Sequence, residues 1–221
     1  MRRNHLGGHR LFVVCLTVLF GCSTTGCVGM TAQLMYALGQ HEVPAEFAGL
    51  KGQRVAVVCV ANTANYDPGS AASMLAQTVS SILRLKVDKI DIISQDKVND
   101  WIDNKNWNQM DYRDVGRGVN AQKVVAIDLD SYRLHEDQTL FKGHANITVT
   151  VYDMTKSGEA VFRKSMANFT FPSNTHEPAI NTTEQEFQRK FVFAIANDIS
   201  KRFYSHEPTD DFAPDATILH R

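Results

Sequence analysis

Hydrophobic and polar positions along the chain change period several times, and each change marks an element. The first apolar run, Leu11–Phe20, is ten residues long and has no polar face. Farther on, Arg54-Val-Ala-Val-Val-Cys-Val-Ala61 is continuously apolar and β-branched, which predicts a central strand buried on both faces. Ala71, Leu75, Val79, Ile82 and Leu83 then recur at helical spacing, with Asp67 as N-cap and Pro68 as first helical residue. Ile90–Ile93 predicts a second short strand, parallel to the first through a right-handed crossover. Ser94 caps a helix carrying Val98, Trp101 and Ile102, and Asp111 starts a shorter one that closes at Gly118 as its C′ residue.

Beyond residue 122 the period becomes two. Lys123–Tyr132, Ala145–Asp153 and Glu159–Phe169 predict three strands, the last two joined by the turn Lys156-Ser157-Gly158. Ala145, Ile147, Val149 and Val151 alternate with His144, Asn146, Thr148 and Thr150, which predicts one buried and one wet face. A capping box, Thr183-Glu184-Gln185-Glu186, opens a final helix with Phe187, Phe191, Ile195 and Ile199 every four residues. The order β-α-β-α-β-β-β-α predicts an α/β (α+β) fold over residues 53–204. It is a single domain with a mixed sheet of about five strands and helices packed on it. Residues 205–221 are acidic and contain proline, a loose tail.

The first apolar run belongs to something other than this fold. Arg2, Arg3 and Arg10 precede it, and ten residues rise only about 15 Å as a helix, half of the roughly 30 Å hydrocarbon core of a bilayer. Residues 1–21 therefore read as a secretory signal peptide. Leu19-Phe20-Gly21-Cys22, which follows, resembles the lipobox of bacterial lipoproteins, although Phe20 stands where that family places a small residue. The resemblance implies cleavage before Cys22, a diacylglycerol on its sulfur and an acyl chain such as palmitate on its amine. Several chains, each contributing about 0.8 kcal/mol per buried methylene, anchor a protein stably. The expected location is the cell envelope, lipid-anchored and facing the periplasm. Ser23, in place of the aspartate that retains enterobacterial lipoproteins in the inner membrane, favours the outer membrane. Residues 22–52 would form the lipid-anchored linker, with Met30, Leu34, Met35 and Leu38 on one face of a short amphipathic helix.

Charge and cysteine usage narrow the partners. The chain of 221 residues has 23 Lys+Arg against 24 Asp+Glu, and loss of the three leader arginines leaves 20 against 24, a charge of about -4. Such a balance lacks the basic footprint of nucleic-acid binding. With Cys15 in the leader and Cys22 acylated, Cys27 and Cys59 remain. They could pair in an oxidising compartment, but Cys59 reads better as a small buried residue of the first strand.

A wider likeness covers about residues 54–204. Arg54-Val-Ala-Val-Val, Asp91-Ile-Ile-Ser, Val119-Asn-Ala-Gln-Lys-Val-Val-Ala-Ile and Thr148-Val-Thr-Val-Tyr-Asp-Met follow one another as in two envelope domains. One is the periplasmic domain of curli-secretion lipoproteins; the other is the amino-terminal domain of the Tol-system propeller protein. Val43-Pro-Ala-Glu-Phe, Trp101-Ile-Asp and Gly116-Arg-Gly-Val-Asn also resemble a group of planctomycete envelope lipoproteins that brings no known activity. A curli-type pore is disfavoured, because every predicted strand is needed for the core sheet.

Candidate chemistry is sparse. Asp128 and Asp130 lie two apart on one strand, placing their carboxylates on one face about 7 Å apart, a spacing open to acid–base work or to plain solvation at a strand end. His135-Glu136-Asp137 and His176-Glu177 carry metal-capable groups in predicted turns without zincin spacing. Gly116-Arg-Gly118 lacks the third glycine of a dinucleotide loop, and Ser70 and Ser73 lack a histidine partner. Asn146-Ile-Thr, Asn168-Phe-Thr and Asn181-Thr-Thr are formal glycosylation sequons, which the resemblance to bacterial lipoproteins implies are chance matches. No catalytic, cofactor or metal residue is assigned, and Cys22 is the one modification site. The leading expectation is a non-enzymatic envelope lipoprotein that binds or helps assemble another envelope component. A metal- or carboxylate-dependent hydrolase built on Asp128, Asp130 and a turn histidine is the competing reading. A ring-forming secretion subunit, hence a homo-oligomer, is the third.

Overall fold

The structure, a computed structural model, describes residues 42–61, 70–105 and 111–208. Leu11–Phe20, Cys22, Cys27, the amphipathic stretch at 30–38, Asp67 and Pro68 lie outside the described residues.

The apolar run Arg54–Ala61 is strand β1, and Val55, Ala56, Val57, Val58 and Cys59 are all fully buried. Burial on both faces is possible because β1 sits inside the sheet, between the two-residue strand β2 (Asp91–Ile92) and β3 (Lys123–His135), parallel to each. β4 (Leu140–Asp153) and β5 (Glu159–Phe171) continue the sheet antiparallel, giving the order β2-β1-β3-β4-β5. β6 (Glu177–Pro178) adds two residues against Leu140 and Phe141 of β4. The result is the mixed α+β sheet expected from the sequence, open and not closed into a barrel.

Helices cover both faces. α1 (Ala71–Lys86) and α4 (Glu184–Lys201) bury their apolar stripes on one face, where Leu75, Val79, Leu83, Phe187, Phe191, Ile195 and Ile199 join Val57, Val125 and Ile127 in the main core. α2 (Gln95–Asp103) and α3 (Tyr112–Gly118) cover the other face at its parallel end. There Val98, Ile102 and Val115 meet Ala56, Val58 and Val124. Among the described residues, no helix is long and apolar enough to cross a membrane.

Several local readings are corrected. The N-cap of α1 is Ser70, whose Oγ accepts from the Ser73 N–H at 3.3 Å; a helix start at Asp67 and Pro68 falls outside the described residues. Gly118 is the last helical residue of α3 rather than its C′ residue. Asn120 takes that place at φ 57°, and its N–H and that of Ala121 bond the Arg117 and Gly116 carbonyls at 3.2 and 2.8 Å, a Schellman closure. Gly118 is small for another reason, since a Cβ there would lie 1.8 Å from the Trp101 ring nitrogen. The hairpin face expected to be wet is wet only in part, because Thr148 and Thr150 are buried. Both are short side chains in an interior strand, and each has one longer neighbour across the sheet that screens it, Asp128 beside Thr148 and Arg163 beside Thr150. β3 and β4 also run farther than the alternation suggested, past irregular register at Leu129/Ser131 and Arg133/His135.

Residues 42–52, read from the sequence as the end of a linker, carry real packing. Leu50 is fully buried, and Val43 forms an antiparallel bridge with His206.

Candidate functional site

In an open sheet with parallel strands, ligands favour the carboxyl ends of neighbouring strands whose connections leave in opposite directions. Here that place is the end of β1 and β3: β1 continues to α1 on one face, while α2 and α3 lie on the other. Tyr112, the first residue of α3, reaches this end, and its hydroxyl donates to Asp128 Oδ1. Asp111 caps α3 by accepting the Arg113 N–H at 2.9 Å, which fixes where Tyr112 emerges. The Tyr112 ring stacks on Tyr152 with centroids 6.1 Å apart, and the Arg113 guanidinium lies over Tyr152 while its Nε donates to the Gly158 carbonyl at 3.0 Å. Burial, reinforced by the hydrogen bond to Asp128, pushes the Tyr112 phenol far above its ordinary pKa, so it is a donor and not a phenolate.

The structure engages both carboxylates: Asp128 through Tyr112, and Asp130 through Thr148 at an irregularity in β3. Thr148 pairs in register with Asp128, and its hydroxyl donates to Asp130 Oδ2 at 3.4 Å. Asp128 is half-buried under Tyr112, whereas Asp130 is exposed at the register shift in β3. No histidine joins them in the contacts of this cluster. His135 ends β3 with its ring 4.8 Å from Phe141 and its Nε2 3.8 Å from Glu184. His144 pairs with Glu136 at 2.8 Å, and Glu177 pairs with Lys190 at 2.9 Å. Asp137 accepts the N–H groups of Thr139 and Leu140 at 2.8 and 2.9 Å, closing the turn between β3 and β4. The metal-capable residues of the sequence are thus turn and ion-pair groups, and among the described residues no three of them are arranged to hold a metal ion.

Cys59 is fully buried, and burial together with the Asp128 charge raises its thiol pKa far beyond the range of a nucleophile. Asn146 Oδ1 accepts the Asn168 N–H at 2.8 Å, so two of the sequon asparagines tie β4 to β5.

Two clefts among the described residues are lined by groups other than Asp128, Asp130, His135, His144 and His176. One, of about 260 Å³, lies between Val43, Pro44 and Glu46 on one side and Ala194, Asn197, Asp198 and Lys201 of α4 on the other. The second, of about 420 Å³, lies beside Lys86, Asp88 and Tyr204. The first was not foreseen. Its signal in the sequence is Val43-Pro-Ala-Glu-Phe, a segment with too much apolar character for a bare tether.

No family model matches the chain, nor does any curated protein. None of the families that the sequence resembles is therefore represented by a matching model. Among solved structures, the chain is similar to the PelC dodecamer from Paraburkholderia phytofirmans, at 11% identity over 74% of this chain and 95% of that one, with a TM-score of 0.42. It is also similar to lipoprotein GNA1162 from Neisseria meningitidis, at 11% identity over 67% of this chain and 98% of that one, with a TM-score of 0.43. At these values the likeness fixes neither family nor role.

Proposed function

We propose that the protein is a lipid-anchored envelope protein that faces the periplasm and acts by binding or assembling another envelope component, without catalysing a reaction. The observation that carries this reading is the basic leader, ten-residue apolar run and Leu19-Phe20-Gly21-Cys22 in sequence. The geometry favours the non-enzymatic side of it, because Asp128 is held by the Tyr112 hydroxyl, Asp130 stands exposed and the Cys59 thiol is buried. A hydrolase built on these groups would need a free carboxylate facing a cleft.

The test is the intact mass of membrane-extracted protein beside a Cys22→Ala variant. The expected mass is that of residues 22–221 plus acyl chains, with the variant unacylated and released from the membrane. An unmodified chain that keeps its leader overturns the reading.

A further inference from the structure

Residues 43–47 cross from the end of α4 to β5 and are held by three kinds of contact. Val43 and His206 exchange both main-chain bonds, at 2.7 and 3.1 Å, and the Phe47 N–H bonds the Arg202 carbonyl at 2.9 Å. Glu46 accepts from Arg202 Nη1 and, at 3.0 Å, from Lys164 Nζ, so one carboxylate ties α4 to β5. The Phe47 ring sits 5.5 Å from Phe162 and 6.4 Å from Phe203, which are themselves 5.7 Å apart. This segment also forms one wall of the 260 Å³ cleft beside α4.

We infer that Val43–Phe47 is a releasable clasp, which opens as a unit while the sheet stays folded and in opening unroofs the cleft. The physical reason is the contrast between its contacts and those of the core. Its ion pairs are partly exposed, at 36% for Glu46 and 40% for Lys164, and such pairs hold weakly. Its main-chain bonds are three isolated ones, not a ladder. The Phe47 ring is its one large apolar anchor. By contrast, Leu50, three residues on, is fully buried in the main core, so opening stops there. Segments with few buried apolar contacts open well below the free energy of global unfolding. The motion is independent of acylation; that a pull on the chain before residue 43 would work the clasp rests on the lipid-anchor reading.

Hydrogen exchange on the full chain tests this. In the double variant E46Q/F47A, the amides at positions 43, 47 and 206 exchange about 100-fold faster than in the wild type, while Val57 and Val125 keep their protection. Gly49→Ala reaches the same end without removing a clasp side chain, since a Cβ there would lie 2.5 Å from the Phe47 ring and push that anchor out of place. A V43C/H206C disulfide, across a pair whose mutual bonds set the Cα atoms about 5.5 Å apart, slows exchange at Phe47 about tenfold. A thiol placed at Ala194, now buried in the cleft wall, is alkylated about tenfold faster when combined with E46Q/F47A. Clasp amides that exchange in step with Val57 and Val125 in every variant overturn the clasp. Alkylation at position 194 that does not change overturns the unroofing. An unmodified intact mass defeats the anchor reading alone and leaves both exchange results standing.

Discussion

Lys123 and Asp153 show what a single buried pair does here. Their side chains are 11% and 5% exposed, the contact is 2.5 Å, and Asp153 also accepts from the Thr155 hydroxyl at 2.6 Å. Burial raises the Asp153 pKa, but the bonds from Lys123 and Thr155 outweigh it, and the net direction is down. A lowered carboxylate pKa means stability that is present above the ordinary carboxylate value and is lost as pH falls through the lowered one. Asp153→Asn is expected to cost about 3–5 kcal/mol at neutral pH, because Lys123 is left buried beside a neutral amide. Urea denaturation from pH 7 to 3 checks both points, since the variant should also lose part of the acid dependence. Nothing in the sequence singled out this pair, whose partners lie thirty residues apart and meet through the register of β3 with β4. Asp128 and Asp130 were legible because strand alternation is local. Their engagement by Tyr112 and Thr148 was not, because it depends on where α3 lands.

At the scale of elements, the start of α4 follows its local chemistry, whereas Ser94 stands at the N-cap of α2 without a side-chain capping bond. Thr183 accepts the Glu186 N–H at 3.2 Å, and Glu186 returns a bond to the Thr183 N–H at 3.0 Å, the reciprocal box read from those residues. Thr183→Ala should lower stability by about 1 kcal/mol and Thr183→Ser should restore most of it, as measured by thermal unfolding. The closure of α3 was misassigned for an equally local reason: Gly118 looked like the residue that tolerates a left-handed turn, yet Asn120 adopts it. Trp101, on the neighbouring helix, requires the glycine for space. Packing and backbone freedom both select glycine, and a single chain does not tell them apart.

For the whole molecule, the organising fact is that one sheet carries two unequal cores. The larger is built on aromatic rings, with Phe141, Phe187, Phe191 and Phe171 linked at centroid distances of 5.1 to 6.4 Å. Phe191 also stacks on Tyr132 at 5.3 Å and Phe169 at 6.2 Å, so it ties α4 to β3 and β5. Phe191→Ala is expected to cost about 3–5 kcal/mol, read from the urea midpoint, and to loosen β5 as well as α4. The smaller core depends on α2 and α3, which cover only the parallel end of the sheet. The antiparallel hairpin beyond them keeps exposed polar residues such as Ser165 and Arg163 on that face.

The sequence by itself determined the order of the main elements, the mixed sheet and the apolar stripes of α1 and α4. Each rests on periodicity or spacing within about twenty residues, and that is where local physics acts. Tertiary structure alone decided that Thr148 and Thr150 are buried, that Lys123 finds Asp153, that Tyr112 occupies Asp128 and that Val43–Phe47 closes over α4. These outcomes join residues from about sixteen to more than one hundred and fifty positions apart. Their partners are chosen by which surfaces the packed elements bring together, information that no local pattern holds.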